Sequence, residues 1–407
     1  MNYEATNLGD PLNHVVADGA LLVFDEVHKF KRVGGKRAAS ALEVARYAEH
    51  TIALTGTPIP NSYLDVYNLL HILYPHDYDW YFGFRESVLK SPDQRVVDAV
   101  NRSIQPFFCR TSKRMLGVPE PNPDHIVGVP ASAAESNLLG VVRSALGQDP
   151  LALIIRILQL ESDPSMLLGE VSQADLETIS DSDVDEASPA PSLEPLALSE
   201  RDRRLALSDA SSTKTRACLD LVENLVGEGK SVIVWCIFVQ SMDNLIEALG
   251  RRGICAEKIS GSVPMEERTR ILRDFRVGTL EVLVTNPHTL AESVSLHMSC
   301  HDAVYFEYSY NLVHLLQSKD RINRLGLPDD QYTQYHFMQS VFPGGEGEGW
   351  SLDRNIYERL GEKEQVMLDA IDHGVLESGS TDERDWEIIF RGLFDDGENV
   401  NDDRRGQ

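Results

Sequence analysis

Asp25-Glu26-Val27-His28 follows an apolar run, Leu21-Leu22-Val23-Phe24. Such a run reads as a buried parallel strand. Acids just past its C-terminal end lie where open α/β sheets hold their ligands. An acidic pair there suits a magnesium-nucleotide, one carboxylate serving the metal shell and the next orienting the attacking water. Three further clusters follow in order: Thr55-Gly56-Thr57-Pro58-Ile59-Pro60-Asn61, Arg110-Thr111-Ser112-Lys113 running on to Pro119, and Gln317-Ser318-Lys319-Asp320-Arg321-Ile322-Asn323-Arg324-Leu325-Gly326. Arg321 and Arg324 are spaced to share one face of a helix, and two guanidiniums on one face can clamp the charge of a transferring phosphoryl group. Such chemistry also needs a glycine-rich loop ending in Gly-Lys-Ser/Thr to cradle the phosphates. The 407 residues contain no Gly-x-x-x-x-Gly-Lys-Ser/Thr, and few residues precede the acids.

Each cluster alone has an ordinary explanation. An acidic pair commonly caps a helix start, Thr-Gly-Thr-Pro makes a plain turn, two arginines make a solvated helix face, and a single histidine is most often structural. Their order, each at a strand end or on a helix facing it, is what singles them out.

The elements that would position them alternate. Strand Leu21–Phe24, a helical stretch near Lys36–Glu49 and strand Thr51–Leu54 form a βαβ unit. Tyr63–Tyr74 has helical periodicity and ends at Pro75, and residues 131–170 read as helical. A second series follows: helix Lys214–Leu225, strand Ser231–Trp235, helix Ser241–Leu249, strand Ala256–Ile259, helix Met265–Arg276, strand Glu281–Thr285, strand Ala303–Phe306, helix Leu312–Leu325 and strand Gln334–Met338. That rhythm predicts a complete doubly wound parallel sheet. The first series has too few strands for one. The chain is thus expected to divide into a partial first lobe (1–130), a helical brace (131–168), an acidic, Ser/Pro-rich disordered linker (169–210), a complete second lobe (211–343) and a helical then acidic tail (344–407).

The net charge of −26 is unevenly placed. Residues 1–130 and 201–330 each carry −2, whereas 131–200 and 331–407 each carry −11. The motif-bearing regions keep room for basic patches, and the acid lies in the linker and tail. Five scattered cysteines with no Cys-x-x-Cys pair argue against a zinc site and for a reduced compartment. With no apolar run of spanning length and no signal-like start, a cytoplasmic protein with no membrane partner is expected.

Together these residues resemble the Swi/Snf-type DNA-dependent ATPases of helicase superfamily two, over a stretch from Asn2-Tyr3-Glu4 to about Glu362. Asp-Glu-x-His resembles the Walker B motif, Thr-Gly-Thr-Pro-Ile-Pro-Asn motif III, and Gln-x-x-Asp-Arg-x-x-Arg-x-Gly motif VI. Arg110 to Pro119 resembles the segment that ends the first lobe. Arg156-Ile157-Leu158-Gln159 with Pro164-Ser165-Met166-Leu167 resembles the brace before the linker. The resemblance implies two RecA-like lobes of α/β class, the first incomplete for want of its Walker A half. It implies ATP and Mg²⁺ as cofactors and double-stranded DNA as the partner along which the protein moves. Asp25 would hold Mg²⁺ through water, and Glu26 would orient or deprotonate the hydrolytic water. His28, Thr55, Gly56 and Thr57 would line the nucleotide side, with His28, Thr55 and Thr57 coupling it to lobe motion. Arg321 and Arg324 would act as fingers on the γ-phosphate, supported by Gln317.

Three departures stand out. Asn2-Tyr3-Glu4 resembles a segment just before the Walker B strand, so the phosphate loop is expected on a missing N-terminal segment or a separate chain. Thr285–Ser293 has no glycine where motif V is usually glycine-rich, which is more similar to the prokaryotic and phage branch than to chromatin remodellers. Leu327 also stands where glutamine often follows motif VI. The competing expectation is a non-catalytic DNA- or protein-binding remnant that keeps the second lobe.

Overall fold

The computed structural model describes residues 10–31, 33–56, 63–90, 92–109, 111–171, 175, 194–208, 212–290, 294–344, 349–372, 389–391 and 393. The chain divides into two compact units, one of residues 1–110 with 182–189 and 360–385, the other of 111–181 with 190–359 and 386–407. Both contain parallel sheets with helical crossovers, the expected α/β class.

In the first unit, β1 (Leu21–Phe24) and β2 (His50–Ala53) pair in parallel, Leu21 opposite His50 and Phe24 opposite Ala53. Helix Lys36–Ala45 makes the crossover. Its buried Ala38, Ala41 and Ala45 are small enough to bring the helix down onto Phe24, Val27 and Phe30, and Ile72 of helix Asp65–Leu73 closes that core. A second apolar cluster gathers Tyr63, Leu70, Tyr78, Phe82, Leu89 and Val100. Strand alternation sends Phe24 inward and turns Leu21, Val23 and Ile52 to the other face, where they are 56 %, 47 % and 45 % exposed. Parallel sheets ordinarily have both faces covered; this one presents an apolar strip.

The second unit holds a six-stranded sheet in the order β3-β8-β7-β4-β6-β5, every pair parallel. The strands are β3 (His125–Pro130), β4 (Val232–Trp235), β5 (Ala256–Ile259), β6 (Val282–Thr285), β7 (Asp302–Tyr305) and β8 (Gln334–Val341). All residues of β4, β6 and β7 are buried, as strands sandwiched between two helical layers must be. Winding reverses at β4, with β6 and β5 on one side and β7, β8 and β3 on the other. Helices Pro150–Ser162, Thr213–Gly227 and Leu352–Asp372 are tied through a buried Lys214, whose Nζ donates to both carboxylate oxygens of Asp353 at 2.9 and 2.8 Å and lies 3.8 Å from Glu161. Burial, reinforced by Asp353, raises the Glu161 carboxyl well above its ordinary value, so one proton shared in this group leaves a buried ion pair instead of a net charge.

Three expectations change. Residues 125–130 read as part of the first lobe, yet they form β3 and pair with β8. The helix expected at Leu312–Leu325 ends at Lys319. Within the stretch expected as disordered linker, Glu200–Ser208 is a helix with Ala206 buried. Gly169 and Glu194, within that stretch, also meet at one side chain. The fully buried Arg156 guanidinium donates to Gly169 O at 3.0 Å and to Glu194 O, and Leu196 N–H donates to Leu167 O at 3.1 Å. Residues 169 and 194 are therefore held by one side chain of the second unit. Gly345–Glu348 and most of the expected acidic tail lie outside the described residues.

Candidate functional site

The acidic corner of the first unit is built by two strand ends. Beyond β1 the backbone of Phe24 accepts Leu54 N–H at 2.7 Å, and Leu54 O accepts Val27 N–H at 3.0 Å. These bonds hold Asp25-Glu26 beside Thr55-Gly56. Glu26 sits at φ 51°, ψ 47°, the one non-glycine with positive φ among the described residues. A left-handed conformation costs a side-chain-bearing residue about 1–2 kcal/mol, and such strain concentrates at functional sites. The turn lifts Glu26 off the strand line and starts the short helix Val27–Phe30, whose buried Val27 and Phe30 anchor it. His28 Nδ1 lies 3.1 Å from Thr55 Oγ1 and 3.3 Å from Glu26 Oε2. One nearly buried imidazole thus touches both clusters, its Nδ1 within reach of a hydroxyl and a carboxylate. Asp25 is exposed and accepts the Glu26 N–H at 3.0 Å. Asp25, Glu26, His28, Thr55 and Gly56 come together as expected. Thr57 to Asn61 lie outside the described residues, as do Asn2-Tyr3-Glu4, Arg110 and Ala291 to Ser293.

The corner suits part of a magnesium-nucleotide site. Mg²⁺ keeps most of its waters and takes one or two carboxylates plus substrate phosphates, which an exposed Asp25 can supply. No group of three or more acids, histidines or cysteines able to hold a metal by itself occurs among the described residues. A phosphate cradle is likewise not found there. Gly229-Lys230-Ser231 repeats the end of a phosphate loop in sequence, but it runs from helix Thr213–Gly227 into β4, the reverse of the strand-to-helix order that aims N–H groups at an anion. Lys230 is instead paired with Glu228 at 2.8 Å.

In the second unit, Gln317 is half-buried on helix Leu312–Lys319, and the two arginines lie past its end. Past Lys319 the bonding tightens into turns: Arg321 N–H donates to Ser318 O at 3.2 Å, three residues back, where a continuing helix would bond four back to Gln317 O. Arg321 O accepts Leu296 N–H at 2.9 Å, and Asn323 O accepts Lys113 Nζ at 2.9 Å. Arg321 is buried, with Nη1 directed at Val294 O at 3.4 Å, whereas Arg324 is exposed. The two guanidiniums therefore do not share a helix face. They flank a turn, one packed and one free to reach a ligand.

The topological switch beside β4, where such a sheet would normally take an anion, is filled from within. The buried Glu307 carboxylate accepts Ile237 N–H at 2.7 Å, Phe238 N–H at 3.0 Å and Ser241 Oγ–H at 2.6 Å, at the start of helix Val239–Arg251. Burial raises this carboxyl, and its hydrogen-bond donors oppose the rise. Nothing in the motif pattern marked Glu307 or the left-handed Glu26 backbone; the first needs the fold, and the second is a conformation that glutamate disfavours.

The model of the SNF2-related domain matches residues 10–140, and that of the helicase conserved C-terminal domain matches residues 213–326. Among curated proteins, Protein CHROMATIN REMODELING 24 of Arabidopsis thaliana is 22 % identical, covering 86 % of this chain and 34 % of its own length. A SWI/SNF-related matrix-associated actin-dependent regulator of chromatin (subfamily A member 1, Mus musculus) is 23 % identical over 88 % of this chain and 32 % of its own length. The probable global transactivator of Orgyia pseudotsugata multicapsid polyhedrosis virus is 24 % identical over 75 % of this chain and 59 % of its own length. The chain spans about a third of the length of the first two. Among solved structures, the C-terminal part of the Fun30 ATPase domain aligns with a TM-score of 0.42 at 16 % identity, over 63 % of this chain and 99 % of its own. The Sulfolobus solfataricus SWI2/SNF2 ATPase core in complex with dsDNA aligns with a TM-score of 0.37 at 19 % identity, over 91 % and 72 %.

Proposed function

We propose that this chain, which carries the SNF2-related and helicase C-terminal domains of the Swi/Snf group of helicase superfamily two, is the nucleotide-hydrolysing part of an ATP-dependent translocase on double-stranded DNA that works together with a separate phosphate-loop segment. The observation that carries the reading is the strained corner where Glu26 and Thr55 meet at His28. A residue kept in a costly conformation, with its carboxylate held by a neighbour, is better explained by a retained catalytic role than by a decayed remnant.

Bound Mg-ATP would supply the phosphoryl group and the metal charge. Asp25 would hold the ion through water, and Glu26 would orient or deprotonate the attacking water. His28, Thr55 and Thr57 would couple that carboxylate to lobe movement, and Gly56 would line the nucleotide side. Arg321 and Arg324, supported by Gln317, would meet the charge on the γ-phosphate. The domain division made from sequence is retained in the proposal, with the first lobe ending near residue 110 in place of 130 and with Glu200–Ser208 a helix in place of linker. The glycine-free Thr285–Ser293 supports a place in the prokaryotic and phage branch. No helix among the described residues is long and apolar enough to cross a membrane.

The test is ATP hydrolysis by the purified chain, with and without double-stranded DNA, beside Glu26→Gln. Negligible turnover that appears when a phosphate-loop segment is added, and is lost again in Glu26→Gln, is the expected result. DNA-stimulated turnover by the chain alone would place the phosphate grip within these residues. No turnover under any condition would favour the alternative, a non-catalytic DNA- or protein-binding module.

A further inference from the structure

The turn that carries Arg321 and Arg324 is held by a residue outside its own motif. Lys113 Nζ donates to Asn323 O at 2.9 Å and Asn323 Oδ1 at 3.0 Å, and pairs with Asp320 Oδ1 at 2.5 Å. The same asparagine reaches back, its Nδ2 donating to Pro119 O at 2.9 Å. Lys113 itself is set by a tight turn: its carbonyl accepts the Leu116 and Val118 N–H groups, with Gly117 at φ +71° between them. Segment 113–119 and residues 320–323 are thus clamped face to face, about 200 positions apart in sequence. The clamp brackets Arg321 on both sides, through Asp320 and Asn323.

We propose that Lys113 is a positioning residue for the arginine turn: by gathering three oxygens it holds residues 320–323 so that Arg321 stays packed and Arg324 projects. This deepens the proposed nucleotide role of those arginines and rests on it for its purpose. Exposure argues for positioning over global support. The side chains of Lys113 and Asp320 are 43 % and 52 % exposed, and a solvent-screened pair adds little to overall stability. The bonds to the buried Asn323 govern local geometry instead.

The test is amide hydrogen exchange on the full chain, comparing wild type with Lys113→Met, which keeps the stem and removes the donors, and Lys113→Arg, which keeps the cation. The Leu296 amide bonded to Arg321 O, together with the Arg321 and Asn323 amides, is expected to exchange roughly three- to tenfold faster in Lys113→Met. The strand amides of β4 and β6 should stay unchanged, and Lys113→Arg should restore most of the protection. Unchanged exchange at the turn, or equal acceleration across the sheet, overturns the proposal whatever the protein does with nucleotide. A separate arm measures binding of a fluorescent Mg-ATP analogue in the presence of the phosphate-loop segment, for Lys113→Met, Arg321→Ala with Arg324→Ala, and all three together. Loss in both variants without further loss in the combination supports positioning. Normal binding by the double arginine variant, with a loosened turn in Lys113→Met, supports the clamp and removes only the nucleotide reading of the arginines.

Discussion

A single backbone conformation separates the acidic corner from an ordinary strand end. Glu26 occupies the left-handed region, where glycine is free of the penalty. Glu26→Gly is accordingly expected to stabilise the first unit by about 0.5–1 kcal/mol, seen as a higher midpoint of thermal unfolding, while removing the carboxylate that hydrolysis would need. A lower midpoint would show that the His28 contact outweighs the strain. Histidines set a second expectation. Burial lowers His125, His297 and His301 below their ordinary value, with His336 adding to the effect at His125, Arg324 at His297 and His297 at His301, where Asp302 opposes it. A base whose folded pKa is lowered binds fewer protons folded than unfolded, so stability is full above about pH 6.5 and falls as the pH drops from there toward the lowered values. Asp302 acts in the same direction further down. Its carboxyl is buried, yet bonds from His336 and Tyr332 and the charge of Lys230 bring it below the ordinary value, and its contribution fades as the pH falls through that point. The unfolding midpoint of the second unit should therefore decline between about pH 7 and pH 5.5, and His125→Gln, which removes a ring 2.9 Å from His336 Nδ1, should flatten the slope. A slope unaltered in that variant would assign the effect to His297 and His301.

Elements show which parts of the structure were legible in the residues. Strands β5 and β1 and helix Met265–Arg276 fall where the apolar pattern puts them, because local alternation and periodicity agree with what the sheet requires. Strand β3 was missed: His125, Ile126 and Gly128 give no buried run, and an edge strand half open to solvent needs none. Periodicity carries the expected helix past Lys319, whereas the turn found there, with Arg321 N–H bonded back to Ser318 O and the Arg321 and Asn323 carbonyls taken by Leu296 and Lys113, is held by tertiary contacts that periodicity does not show. The adjacency of the two strand ends at the acidic corner follows from the parallel pairing of β1 and β2, which the βαβ pattern carries. That Arg321 is packed while Arg324 is exposed could not be read from an i, i+3 spacing. The apolar strip on the β1–β2 sheet carries its own expectation. Val23→Thr with Ile52→Thr keeps β-branched strand residues while making that face polar, and should reduce self-association of the full chain in light scattering. If the same pair also prevents a phosphate-loop segment from restoring turnover, the strip is where that segment docks; unaltered self-association would mean that the strip is not what makes the chain adhere.

At the scale of the whole molecule, the charge and the fold are kept apart. The acidic stretch between Gly169 and Glu194 has both ends on the Arg156 guanidinium, so its length is decoupled from the sheet it interrupts. Replacing residues 172–192 with a short Gly/Ser link is expected to leave the unfolding midpoint of the second unit within about 1 kcal/mol of wild type, since loop closure depends only weakly on length. Arg156→Met should lower it sharply by leaving buried carbonyls without donors; equal effects from both changes would mean that the segment itself supports the fold. The carboxylate at β4 has a different reach. Glu307 is bound to the amides of Ile237 and Phe238 by the same forces that would bind a phosphate there, but it is tethered to the chain and cannot diffuse away. Any free anion must compete with an occupant whose effective concentration no cellular metabolite can match. Two sheets of one winding style are thereby made unequal: in the second, the seat for a ligand is taken by the protein's own carboxylate, and side chains such as the exposed Arg324 are what that unit turns outward.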